Sequence, residues 1–176
     1  MGRYIMILAM ALAMPVAAKE SARASAAIEM PLSETVREYR DWRIERSSAF
    51  IAALTNNPDG SLFGLLCGKT CSYYLNTGQI CDVGADYPGL LSAAEGSIPV
   101  TLRCLHVKEE GEEYSILLID EDLTEALKGA SQIGVVVPLE NGQFHVSRFS
   151  MAGAAEAQRD MLNMTDKRKD TGDFTL

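Results

Sequence analysis

Apolar and polar residues alternate with a period of two along much of the chain from residue 40 onward, which is the mark of strands that bury one face. Residues 40–46 read polar–apolar in turn, placing Trp42 and Ile44 toward a core. The preceding residues, 34–39, could instead form a short helix with Ser33 as N-cap. Two apolar runs, 49–55 and 62–67, flank Asn56-Asn57-Pro58-Asp59-Gly60, a strong turn signal, and predict a β-hairpin. Residues 71–75 and 79–81 around Asn76-Thr77-Gly78 predict a second one.

Residues 88–94 lead through Glu95-Gly96-Ser97 into a strand over 98–107, with Ile98, Val100, Leu102, Cys104 and His106 on one face. A charged turn over 108–113 contains Gly111, and 114–119 is a further strand. A short helix follows, capped by Asp120, strengthened by Asp122 and ended by Gly129, with Leu123, Ala126 and Leu127 as its apolar face. The β-branched run 132–139 predicts a buried strand whose end, at Pro138, lies near an edge. Asn141-Gly142 suits a type I′ turn, with 144–149 returning from it. Ser150 is placed to cap a last helix to about Met164, with Ala152, Ala155 and Leu162 among its small and apolar positions. Strand after strand with short polar turns and two short helices, one near the C-terminus, predicts a mainly β fold, an antiparallel β-sandwich or half-barrel. One domain is expected over 33–164, after a lead-in over 19–32 and before a polar tail over 165–176.

The N-terminus changes the setting. Arg3, an uncharged run from Tyr4 and small residues up to Ala18 have the three-part layout of a secretory signal peptide, with cleavage expected after Ala18 or, as a second site, after Ala24. The run over 4–18 is shorter than the roughly 20 residues a spanning helix needs, and no cysteine follows it to carry a lipid. No later segment is long and apolar enough to span a bilayer. The expected location is the periplasm or the exterior.

Cleavage at Ala18 would remove Arg3 alone among the charged residues, leaving 15 basic against 24 acidic. Such a surface repels phosphate backbones, and the one dense basic run, Lys167-Arg168-Lys169, lies between Asp166 and Asp170. Nucleic acid is therefore an unsuitable partner. An acidic surface suits a basic protein, so an inhibitor of a basic enzyme such as a lysozyme is one reading of the charge.

Four cysteines, Cys67, Cys71, Cys81 and Cys104, suggest two disulfides in an exported chain. A hairpin centred on Asn76 would set Cys71 opposite Cys81, within bridging reach. That predicts Cys71–Cys81 and leaves Cys67 with Cys104. A four-thiolate zinc site lacks a second close pair, and Cys67 and Cys71 are spaced too widely for a thioredoxin-like redox pair.

Catalytic signals are thin, and neither a catalytic residue nor a cofactor is assigned. His106 and His145 are the only histidines; Cys104 and His106 could form half a metal site, and His145 neighbours Ser147 and Ser150. No nucleophile elbow is present to make a triad of these groups with Asp120 or Asp122. The acidic run over 109–113 reads as a solvated turn, lacking the spaced oxygens of a calcium loop and the buried setting of glycosidase acids. No glycine-rich phosphate loop is present. Asn163-Met164-Thr165 fits the N-glycosylation pattern, relevant only in a eukaryotic secretory route. Met151, Met161 and Met164 could give the last helix an adaptable partner surface, although covering a sheet is the commoner use.

The export signal, Asp41-Trp42-Arg43-Ile44-Glu45 at the start of the domain, the four cysteines, the strand 133–139 and the closing run Phe144-His145-Val146-Ser147-Arg148-Phe149-Ser150-Met151-Ala152-Gly153-Ala154 together resemble the invasion-associated locus B type of small bacterial periplasmic protein, over about 38–160. The resemblance implies a periplasmic β-sandwich, linked in some pathogens to host-cell invasion, and carries over no catalytic residue. The expectation is a non-enzymatic exported domain binding a protein or an envelope component. The alternative is a small envelope hydrolase or redox enzyme working through His106, His145 or a labile cysteine pair.

Overall fold

The computed structural model describes residues 27–29, 31–109, 111–139 and 141–171. The expected signal peptide, both of its cleavage sites and the last residues of the polar tail lie outside them. Eleven strands and two helices follow in the order β1 (Ile28–Glu29), β2 (Glu34–Tyr39), β3 (Trp42–Arg46), β4 (Ile51–Asn56), β5 (Leu62–Cys67), β6 (Cys71–Asn76), β7 (Asp86–Ala93), β8 (Gly96–Glu109), β9 (Glu112–Ile119), α1 (Thr124–Leu127), β10 (Gln132–Pro138), β11 (Phe144–Ser150) and α2 (Ala154–Thr171). One antiparallel sheet runs β11-β10-β7-β8-β9-β6-β5-β4-β3-β2, and β1 adds in parallel to the end of β8. The mainly β expectation holds, and the sheet is curled without closing, a half-barrel form.

Period-two alternation explains the curl. Trp42 and Ile44, Ile51 and Ala53, Phe63 and Leu65, Tyr73 and Leu75, Leu102 and Cys104, Ile133 and Val135, and Phe149 all bury into one core. Those side chains come from both ends of the sheet and satisfy one another only if the ends approach. The Phe63 and Phe149 rings lie 5.5 Å apart, Trp42 meets Phe63 edge to face, and the Trp42 indole N–H donates to the Ser150 carbonyl at 2.8 Å. A second, smaller apolar cluster (Phe50, Ala52, Leu54, Tyr74) covers the other face of β4–β6, where burial pushes the Tyr74 phenol well above its usual range.

Several expectations change. Residues 34–39 form a strand rather than a helix, because β3 offers them a ladder along their length, with an irregularity between Thr35 and Arg37. The β4–β5 hairpin forms as expected, and the Asn57 side-chain oxygen accepts from the Asp59 and Ser61 amides. The hairpin expected around Asn76 does not form: β6 lies between β5 and β9, and residues 77–85 have no strand. Asn141-Gly142 does not form a type I′ turn, since Gly142 has positive φ and Asn141 does not. Asp122, not Asp120, supports the start of α1, accepting from the Thr124 amide at 2.9 Å, while Asp120 pairs with Arg103 at 3.1 Å. Gly129, at φ 70°, follows the helix as expected. Helix α2 runs past Met164 to Thr171, and its buried face is Ala154, Ala157, Met161 and Thr165, with Ala155 and Leu162 exposed. Met151 and Met161 are core residues, so the helix covers the sheet rather than offering them outward.

Helix α2 is fastened to β2 by Asp160, whose carboxylate accepts from both Arg37 and Tyr39. The Tyr39 hydrogen bond, then the Arg37 hydrogen bond, hold this carboxyl below its usual range. A depressed carboxyl stabilises the fold above its unfolded pKa and loses that contribution as pH falls through the folded one. Asp160→Asn should therefore lower the urea midpoint at neutral pH, and the difference from wild type should shrink to nothing in acid. A difference that stayed constant with pH would show that charge is not the cause.

Candidate functional site

The cysteines are all paired, but not as the local turn suggested. Cys67 bonds Cys71 across the β5–β6 turn, where the two are facing residues, and Cys81 bonds Cys104. The expected Cys71–Cys81 and Cys67–Cys104 pairing is overturned because the far edge of β6 is taken by β9, with Tyr73 opposite Ile119. Cys81 therefore has no ladder to share with Cys71, and its loop folds back onto β8.

That loop is one wall of a cleft of about 470 Å³. The Cys81–Cys104 bond anchors it, the His106 ring nitrogen Nε2 lies 3.0 Å from the Cys81 carbonyl, and the Asp82 amide donates to the Tyr87 hydroxyl. Cys104 and His106 thus hold the loop in place, with the Cys104 sulfur committed to a disulfide. Among the described residues no group of three or more His, Cys, Asp or Glu is arranged to hold a metal ion. Leu117, Val137, Pro138 and His145 supply the opposite lining, and Ile80 stands at the rim with 90% of its surface exposed.

His145 reaches its sequence neighbour: Nε2 is 3.0 Å from the Ser147 hydroxyl, which in turn donates to the Ser61 hydroxyl at 3.2 Å. Ser147 is only 1% exposed. A nucleophile must meet its substrate, so this chain of hydroxyls is suited to joining β11 to the loop before β5 and not to attack. Asp120 and Asp122 lie by α1 and make no recorded contact with His145.

Beside the cleft is an apolar outer face that sequence reading did not single out. Val136 on β10 faces Leu90 on β7 and Val146 on β11, and Pro138 faces Phe144. Leu90, Val146 and Phe144 are 45%, 41% and 67% exposed. In the first half of β11 the outward residues, Phe144 and Val146, are apolar and the inward ones, His145 and Ser147, are polar, the reverse of the usual assignment of faces, which Arg148 outward and Phe149 inward restore.

The two end strands of the sheet differ in how they are guarded. On β2, Glu34, Arg37 and Glu38, the irregular register and the packing of α2 discourage a further strand. β11 pairs only with β10 among the described strands, and Arg148 is its single arginine, lysine or acid. Its end is held by Trp42, but Phe144 to Val146 has no strand beyond it.

Comparison with protein-family models, with curated proteins and with solved structures gave no match in any of the three. No helix among the described residues is long and apolar enough to cross a membrane.

Proposed function

We propose that this chain is an exported, periplasmic or secreted, non-enzymatic protein that binds a protein or envelope component through the β11 edge and the apolar face beside it. The observation that carries the reading is the unguarded end strand with Phe144 and Val146 outward, on the face that Val136 shares with Leu90. A free edge supplies main-chain donors and acceptors to an extended partner segment, and adjacent apolar side chains supply the burial. The signal-like N-terminus and two disulfides suit an oxidising compartment. The resemblance to the invasion-associated locus B type adds a role at the host contact of a bacterium as the biological setting of the proposal.

Phe144→Lys combined with Val146→Lys tests it. Both side chains are exposed, so the melting curve should stay within about 0.5 kcal/mol of wild type. Cross-linking to its partner in intact cell envelopes should fall about tenfold or more, as expected when central apolar anchors are lost. Undiminished cross-linking by the double variant would refute docking at this edge.

A further inference from the structure

A second cleft, of about 570 Å³, lies where the two ends of the curled sheet meet, well within the size of small-ligand sites. Its walls are the β2–β3 turn, the loop after β4, and the ends of β10 and β11. It gathers Arg40 and Arg43, three residues apart at the β2–β3 turn, with Arg148 of β11, which only the curl brings to them.

The three arginines differ in commitment. Arg43 is engaged: its Nε is 2.7 Å from Glu45, its Nη1 donates to Asn56 at 3.0 Å, and Glu38 faces it across the strand pair. Arg40 and Arg148 make no side-chain hydrogen bond or ion pair with any described residue. The charges of the lining are Arg40, Arg43 and Arg148 against Glu38 and Asp41, with Glu45 outside it. That leaves an excess of one positive charge, beside the side-chain amides of Asn56, Asn57 and Gln132.

Backbone conformation gives an independent reason to look here. Arg40 has φ 54°, the only positive value at a described non-glycine residue. It occupies the first central position of the two-residue turn between Tyr39 and Trp42, where glycine is the ordinary occupant. An L-residue with a long side chain is strained there, and strain of this kind gathers at ligand clamps. Glycine would fold the turn at lower cost, but it would remove a guanidinium from the cleft.

We infer that this cleft binds a small carboxylate that carries a hydrogen-bond donor beside the acid group, a hydroxy acid or an amino acid, with Arg40 and Arg148 on the carboxylate and Asp41 on the donor. Guanidinium matches the two oxygens of a carboxylate edge to edge. A single excess positive charge suits the monoanion of a hydroxy acid, Asp41 would pair with the ammonium of an amino-acid zwitterion, and the acidic surface of the whole chain disfavours more highly charged anions. The cleft uses Arg148 and Ser150 at the far end of β11, whereas the proposed docking edge rests on Phe144 and Val146, so each proposal is tested by its own variants and can fail without the other.

Trp42, the single tryptophan of the chain, lines the cleft and reports on it by fluorescence. The probes are lactate, serine, acetate and inorganic phosphate, titrated at constant ionic strength. Lactate or serine should give a saturable change at lower concentration than acetate or phosphate. Arg40→Gly and Arg148→Gln should each weaken that binding about tenfold or more, the scale of one lost charge-assisted hydrogen bond. Arg40→Gly should keep or raise the melting temperature, separating lost binding from lost folding. The inference is overturned if no carboxylate gives a saturable change, if phosphate binds tightest, if binding survives both substitutions, or if Arg40→Gly melts lower than wild type.

Discussion

Gly153→Ala should cost about 4 kcal/mol, a large fraction of the stability of a domain this size. Gly153 sits at φ 90° between β11 and α2, and a Cβ there would lie 1.9 Å from the Tyr39 carbonyl oxygen and 2.7 Å from its carbon. No side-chain rotation relieves a contact with backbone. Tyr39 cannot retreat easily, because it is laddered to Trp42 and its hydroxyl is bonded to Asp160 of α2. The substitution therefore either displaces α2 or breaks the β2–β3 turn that carries Arg40. Gly129→Ala is the control: φ is 70°, but nothing lies within 4 Å of the added carbon, so only the conformational cost of about 1 kcal/mol should appear. Urea unfolding of the two variants side by side decides the matter. Equal midpoints would mean that the close approach at Gly153 is relieved at little cost.

Replacing Cys81 and Cys104 together by serine should cost about 3 kcal/mol, against about 2 kcal/mol for Cys67 and Cys71, because the chain-entropy cost of a cross-link grows with the loop it closes. The sequence separations are 23 and 4. The longer bridge also has a local task that the shorter one lacks. It is the covalent anchor of the strandless loop over 77–85, so its loss should loosen the cleft wall and Ile80 along with it. Guanidinium unfolding measures the two costs. Digestion with trypsin and chymotrypsin of the oxidised protein checks the pairing itself, since cleavage after Tyr73 or Tyr74 separates Cys71 from Cys81. The peptide bearing Cys104 should be joined to the one bearing Cys81; joined to Cys67, it would restore the pairing expected from the local turn.

The cysteines also mark how far local reasoning reaches. Spacing around Asn76 made Cys71 and Cys81 look like facing residues, and that inference needed residues 79–81 to continue as a strand. Three residues ending at an exposed Ile80 have too little to bury, while β9 offers β6 a long apolar partner. The same limit applies to the arginines. In the sequence Arg40 is one of four arginines among mixed charges over 37–46, Arg148 is a lone charge in the run 141–155, and nothing in their neighbourhoods predicts that they share a cleft.

Period and turn chemistry by themselves determined where most strands lie and which way many side chains face: Trp42 and Ile44 inward, the hairpin turn built on Asn57, the one-sided run from Ile98 to His106, the glycine that follows α1. These depend on interactions within a few residues, so the local chain carries the full information. Only the tertiary structure decided which strands are neighbours, which cysteines meet, which end strand is left unguarded and which arginines converge. Those outcomes depend on the order of ten strands and on the curl that lets Phe149 reach Phe63. Burial of the whole core selects that order, and a hydrophobic pattern that names a face does not name the partner that covers it.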